Sequence, residues 1–195
     1  MRKETRWKAG FFALLTFMLV AVIIIAMMLF WPAKQEPLPK SKNKEKDYVG
    51  FTVHSNKHDL TQIINHYIEK EKLNGPINYE IILKDDVELY GEIEVFSKTI
   101  DLHMTFEPKA LENGDLILYQ KSASVGKMNL PVSYILKFIR NSYNLPSWVI
   151  IQPKDELIYV SLEKMELKGD MKVKADKFNL KEDDITLTFM VDVVK

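Results

Sequence analysis

From Phe11 to Trp31 the chain carries no charged residue, and past Val49 its apolar positions settle into two rhythms, one near 3.6 residues and one of two. The first stretch, FFALLTFMLVAVIIIAMMLFW, is about 30 Å long as a helix, which is the thickness of a bilayer hydrocarbon core. A helix also bonds every backbone polar group internally, as a lipid interior demands. The pattern therefore predicts a transmembrane helix over residues 11–31. A cleaved signal has a shorter apolar core, about 7–15 residues, followed by small residues. Here the run ends in Met27, Met28, Leu29, Phe30 and Trp31, so the helix is expected to stay as an anchor. Trp31 suits the membrane–water boundary.

The helical rhythm returns in SNKHDLTQIINHYIEKEKLNG, where Leu60, Ile63, Ile64, Tyr67 and Ile68 share one face. Asn56 is positioned to cap this helix and Asn74-Gly75 to end it. It is read as the first element of the domain. The period then drops to two. Ile77, Tyr79, Ile81 and Leu83 alternate with polar residues, then Val87, Leu89, Ile93 and Val95, then Ile100, Leu102, Met104 and Phe106, with turns at Asp85-Asp86 and Ser97-Lys98. A longer strand follows the Glu112-Asn113-Gly114-Asp115 turn. Leu130-Pro131 opens a second helix with Pro131 at its first position and Val132, Ile135, Leu136 and Ile139 on one face; Asn144-Leu145-Pro146 stops it. The remaining strands are predicted at 148–151, 157–162, 165–175 and 185–193. No regular strand–helix alternation appears that would indicate a parallel sheet. The expected fold is α+β: a curved antiparallel sheet wrapped around one or two amphipathic helices.

Charge sharpens the division into segments. The overall charge is zero, yet residues 1–10 carry four basic residues against one acid, residues 32–48 five lysines against three acids, and residues 49–195 eighteen basic residues against 23 acidic ones. Arg2, Lys3, Arg6 and Lys8 should hold the amino terminus in the cytoplasm, which sends the rest of the chain outside. The expected organisation is a cytoplasmic tail (1–10), the membrane helix (11–31), a linker (32–48) and an extracellular domain (49–195). Pro32, Pro37, Pro39 and the charges make 32–48 an extended spacer, solvated or with its lysines against anionic headgroups. There is no cysteine, which removes disulfides, thiol nucleophiles and cysteine-based metal sites.

Chemistry is sparse. The Gly126-Lys127 pair lacks the remaining residues of a phosphate loop, since Lys121 and Met128 stand at the required positions. His54, His58, His66 and His103 show no metal-ligand spacing, and no Gly-x-Ser-x-Gly elbow occurs. Glu88, Glu92 and Glu94 fit the wet face of a strand, and Glu182-Asp183-Asp184 a turn. An acidic domain without interleaved basic and aromatic residues is a poor nucleic-acid binder. The expectation is a protein without catalytic residues, metal or cofactor.

The stretch Ser124-Val125-Gly126-Lys127, Leu130-Pro131, Leu145-Pro146-Ser147-Trp148-Val149 and Leu157-Ile158-Tyr159-Val160, with Val173–Leu180, Asp184–Leu187 and Met104–Leu118, resembles the YpmS family of membrane-anchored proteins of Gram-positive bacteria. More remotely, the succession of strand, glycine, Leu-Pro, amphipathic helix and Leu-Pro is similar to bacterial tubular lipid-binding (TULIP-like) proteins, in which a long sheet and a helix enclose acyl chains. The resemblance implies a membrane lipid as ligand, or a lipid-linked envelope polymer, and a lipase-like envelope hydrolase as possible protein partner. It carries over no catalytic residue. On this reading Leu60, Ile64, Ile68, Ile135, Leu136, Ile139 and Trp148 are the candidate apolar lining. The competing expectation is a non-catalytic scaffold or regulator of such an enzyme, with a solid core.

Overall fold

The computed structural model describes residues 3–30, 48–73, 78–95, 98–126, 128–129, 131–143, 145–165, 167 and 171–192. Trp31, the expected linker up to residue 47, the helix stop at Asn74-Gly75, and Ile77, Ser97, Leu130, Asn144 and Val193 lie outside them, as do 166 and 168–170 of an expected strand. The chain divides into two units, residues 1–34 and 35–195. In the first, helix α1 (Lys3–Phe30) takes the basic tail and the apolar run into one 28-residue helix. Thr16 Oγ1 donates to the Phe12 carbonyl at 2.8 Å, so the hydroxyl within the run is satisfied. Among the described residues no helix is long and apolar enough to cross a membrane.

The second unit is an α+β body with two antiparallel sheets where the sequence pattern suggested one. It opens on a strand, β1 (Tyr48–Ser55), and not on a helix. Helix α2 (Lys57–Lys70) follows at once. Asn56, extended at φ −118°, accepts the Asp59 N–H at 2.8 Å, and Asp59 also sits favourably at the positive end of the helix. A second free amide, Lys57 N–H, is taken by Asp183 Oδ1 at 2.6 Å from the far end of the chain.

The larger sheet has the order β2 (Tyr79–Leu83), β3 (Val87–Val95), β4 (Lys98–Ala110), β5 (Leu116–Val125), β8 (Leu157–Val160), β7 (Val149–Gln152), with β6 (Met128–Asn129) beside β5. Strand β4 runs past Phe106 and through Pro108. Strand β3 ends opposite Phe106, so beyond that point β4 pairs with β5 alone and a proline leaves no donor missing from a ladder. Helix α3 (Val132–Ser142) joins β6 to β7, with Pro131 as its N-cap residue, one place before the position expected. A short 3₁₀ turn (Leu162–Lys164) replaces the end of the expected strand 157–162. The smaller sheet is β1, β10 (Asp184–Asp192), β9 (Met171–Asn179), with β10 in the middle. Met165 and Leu167 are not in β9, which starts at Met171 and reaches Asn179 past an irregularity between Thr186 and Leu187 of its partner.

The two sheets meet at the β4–β5 turn. Gly114 has φ +86°, a backbone state that favours glycine, and its carbonyl accepts the Ala175 N–H of β9 at 2.8 Å. A Cβ there would lie 2.6 Å from the Lys174 Cβ. The principal core joins both sheets and both helices of the body. Leu60, Met104, Phe106, Leu136 and Ile185 are all buried in it.

Candidate functional site: an apolar sheet face that emerges from the core

The residues expected to line an apolar site divide into three groups. Leu60, Ile135 and Leu136 are buried in the principal core, and Ile64 and Ile139 pack against it half-buried. Leu136 is 0% exposed. Ile68 is buried on the same face of α2, outside that cluster. Trp148 is half-buried ahead of β7, and its carbonyl accepts the Ser161 N–H at 2.8 Å. The amphipathic faces of α2 and α3 thus converge as their spacing predicted, on side chains packed against one another.

The smaller sheet presents a different surface. Register places Val49, Val191 and Met171 in one row, Phe51, Phe189 and Val173 in the next, then Val53, Leu187 and Ala175, then Ser55, Ile185 and Phe178. Side chains alternate across a strand, so these rows make one nearly continuous apolar face. Val173, Ala175 and Ile185 of that face are buried, and Met171 and Phe178 half-buried. At β1 it emerges: Val49 is 59% exposed, Phe51 50% and Val53 38%. The Phe51 and Phe189 rings stack with centroids 5.5 Å apart. Apart from the buried Met190, the opposite face is mostly polar. Thr52 and Thr188 hydroxyls lie 3.2 Å apart, Thr188 donates to Asp176 at 2.6 Å, and His54 Nδ1 is 3.1 Å from Thr186 Oγ1. The Val49-x-Phe51-x-Val53 alternation signals this strand, but the capped helix α2 right after it is the stronger signal and sequence reasoning opens the domain there.

Two polar clusters complete the picture. On the outer face of the larger sheet, Glu88 Oε2 accepts from Lys84 Nζ at 2.8 Å and from the Tyr90 hydroxyl, with His103 Nε2 at 3.4 Å. The Tyr90 and His103 rings stack at 4.4 Å. Partial burial opposes ionisation of Glu88, but its Lys84, Tyr90 and His103 neighbours outweigh that and hold it below the usual carboxylate range. Near the sheet junction, the buried Asp115 accepts from the Tyr159 hydroxyl, from Asn113 Nδ2 at 2.8 Å, from Ser161 at 3.5 Å and from the Glu163 N–H at 3.4 Å. Burial first, and the Asp115 carboxylate next, push the Tyr159 phenol up to about 12. Each carboxylate is engaged by structural donors, a fixing role and not that of a free base. Among the described residues no group of three His, Asp or Glu is placed to hold a metal. Two buried acceptors, Asp86 Oδ1 and Gln120 Oε1, the latter opposite Phe106, have no hydrogen-bond partner among the described residues.

No solved structure matches the chain. A similar curated protein is "Uncharacterized protein YpmS" of Bacillus subtilis (strain 168), 34% identical over 184 residues, which covers 94% of this chain and 96% of that one. Residues 5–191 match the family described as "Uncharacterized protein conserved in bacteria (DUF2140)". The apolar amino-terminal helix, the α+β body and the emergent sheet face thus belong to a member of the DUF2140 family, to which YpmS is similar along nearly its whole length.

Proposed function

We propose that this chain is a single-pass cell-membrane protein, amino terminus in the cytoplasm, whose exported α+β domain binds or presents a lipid or lipid-linked envelope polymer without catalysing a reaction on it. The observation that carries the reading is the emergence of Val49, Phe51 and Val53 from the core on the strand that follows the amino-terminal helix. Residues 31–47 join the two, a tether of at most about 60 Å when fully extended. Apolar side chains exposed within that distance of a bilayer are stabilised by contact with acyl chains and destabilised by water. The buried rows of the same face lead from this lip to the principal core, so an acyl chain laid on Phe51 and Phe189 would continue an existing apolar surface.

The test is photo-crosslinking in the membrane. A benzophenone amino acid at Phe51 of the full chain should give adducts of lipid mass after delipidation and mass spectrometry, and one at Tyr90, on the polar face of the larger sheet, should not. An adduct at Phe51 with one protein other than a second copy of this chain, without lipid, would overturn the reading in favour of a scaffold for an envelope enzyme.

A further inference from the structure

Among the described residues the three-stranded sheet ends in an open edge at β1, and the other sheet edges are met by neighbouring elements or are short. Strand β2 is met by α2: the Asn65 side chain donates to the Ile81 carbonyl at 2.7 Å and accepts the Ile81 N–H at 2.9 Å, and Thr61 Oγ1 accepts the Leu83 N–H at 3.1 Å. Strand β9 is met by the Gly114 carbonyl through the Ala175 N–H. Strand β7 is four residues long and shielded by its shortness. Strand β1 is twice that length, and among the described residues its backbone bonds only to β10.

Natural edge strands carry lysine, proline, a bulge or a covering element against pairing with another chain. Residues Tyr48–Ser55, YVGFTVHS, have no proline, no Lys, Arg, Asp or Glu, and an unbroken register with β10. All six inner residues are exposed. The apolar positions are also symmetric about Phe51, because Val49 and Val53 stand two places to either side. An antiparallel copy centred there sets Phe51 on Phe51 and Val49 on Val53, with no like charges opposed.

We propose that two copies of this chain associate through β1, antiparallel and centred on Phe51, fusing their three-stranded sheets into one of six strands. Pairing occurs in the sheet plane and side chains stand perpendicular to it, so the apolar face stays open and the dimer does not depend on a lipid ligand. A contact of this size falls below about 1,200 Å² of buried surface, which makes it a reversible association.

The chain lacks cysteine, so each introduced thiol is unique. Directly opposed antiparallel residues have Cα atoms about 4.5–5.5 Å apart, within disulfide range. Full-length F51C under mild oxidation in the membrane should form a disulfide dimer, and T188C, one strand inward, should not. A maleimide-reactive F51C that stays monomeric, or a T188C that crosslinks as fast, overturns the proposal. If F51C fails to fold, co-expressed V49C and V53C replace it, and must crosslink to each other in preference to themselves. With two differently tagged copies, F51K alone and F51E alone should each lose at least tenfold in co-purification, and the F51K–F51E pair should regain it. Failure of the mixed pair to recover, with both variants folded, also overturns it.

Discussion

Tyr159 is 1% exposed, and its hydroxyl lies among Asp115, Asn113 and Ser161 at the junction of the turn and β8. Its folded pKa of about 12 exceeds the ordinary value of 10. The folded state therefore holds the phenolic proton more tightly than the unfolded chain does. That contribution is complete below pH 10 and is lost as pH rises through 10 to 12. Tyr159→Phe removes one donor from a buried carboxylate and should cost about 1–3 kcal/mol at neutral pH. Urea unfolding at pH 8 and pH 11 checks both parts: the wild type should lose more stability than the variant between those values. Gly114 concentrates a different constraint, a left-handed φ and a neighbour at 2.6 Å. Gly114→Ala should destabilise by about 1–3 kcal/mol, seen as a lower melting temperature, because Lys174 and with it β9 must move.

Among the elements, α2, β3, α3, β7 and β8 were legible because each rests on local signals. The Asn56 cap, the alternation Val87–Leu89 with Glu88, and the Ile135, Leu136 and Ile139 stripe all act within a few residues. What pairs with what was not legible. The partners Tyr48 and Asp192 are joined by a register that spans the body, and alternation fixes which side chains share a face without saying which strand lies alongside. The single sheet therefore became two. The expected strand at 157–162 failed at its end for a local reason, since Ser161 and the Glu163 amide turn toward Asp115 and draw the chain into a 3₁₀ turn. The expected lining was half legible: its residues do converge, but periodicity looks the same for a packed interior as for a lipid-lined one. The exposed row on β1 was missed because a short alternating strand ahead of a well-capped helix carries little weight beside it.

At the scale of the whole molecule the proposed lipid contact gives the core and the lip different roles, and mutation separates them. Leu136→Ala opens space at a position 0% exposed and should cost about 2–5 kcal/mol. If Leu136 is core, denaturant unfolding of the full chain in detergent should give the same loss before and after exhaustive lipid extraction. A loss that depends on extracted lipid would instead make α3 part of the ligand site.

The order of β1, β10 and β9 has a kinetic meaning. The strand at the centre of the small sheet is the last of the described strands in chain order, so β1 has no partner until Ile185 and the residues after it have been made. Contacts of such sequence separation carry a large loop-closure cost and form late. Until then the Asp183 bond to the start of α2 is missing as well. On a partial chain the small sheet and the tie to the start of α2 therefore stay incomplete, while the larger sheet, whose strands all lie within residues 79–160, already has its partners.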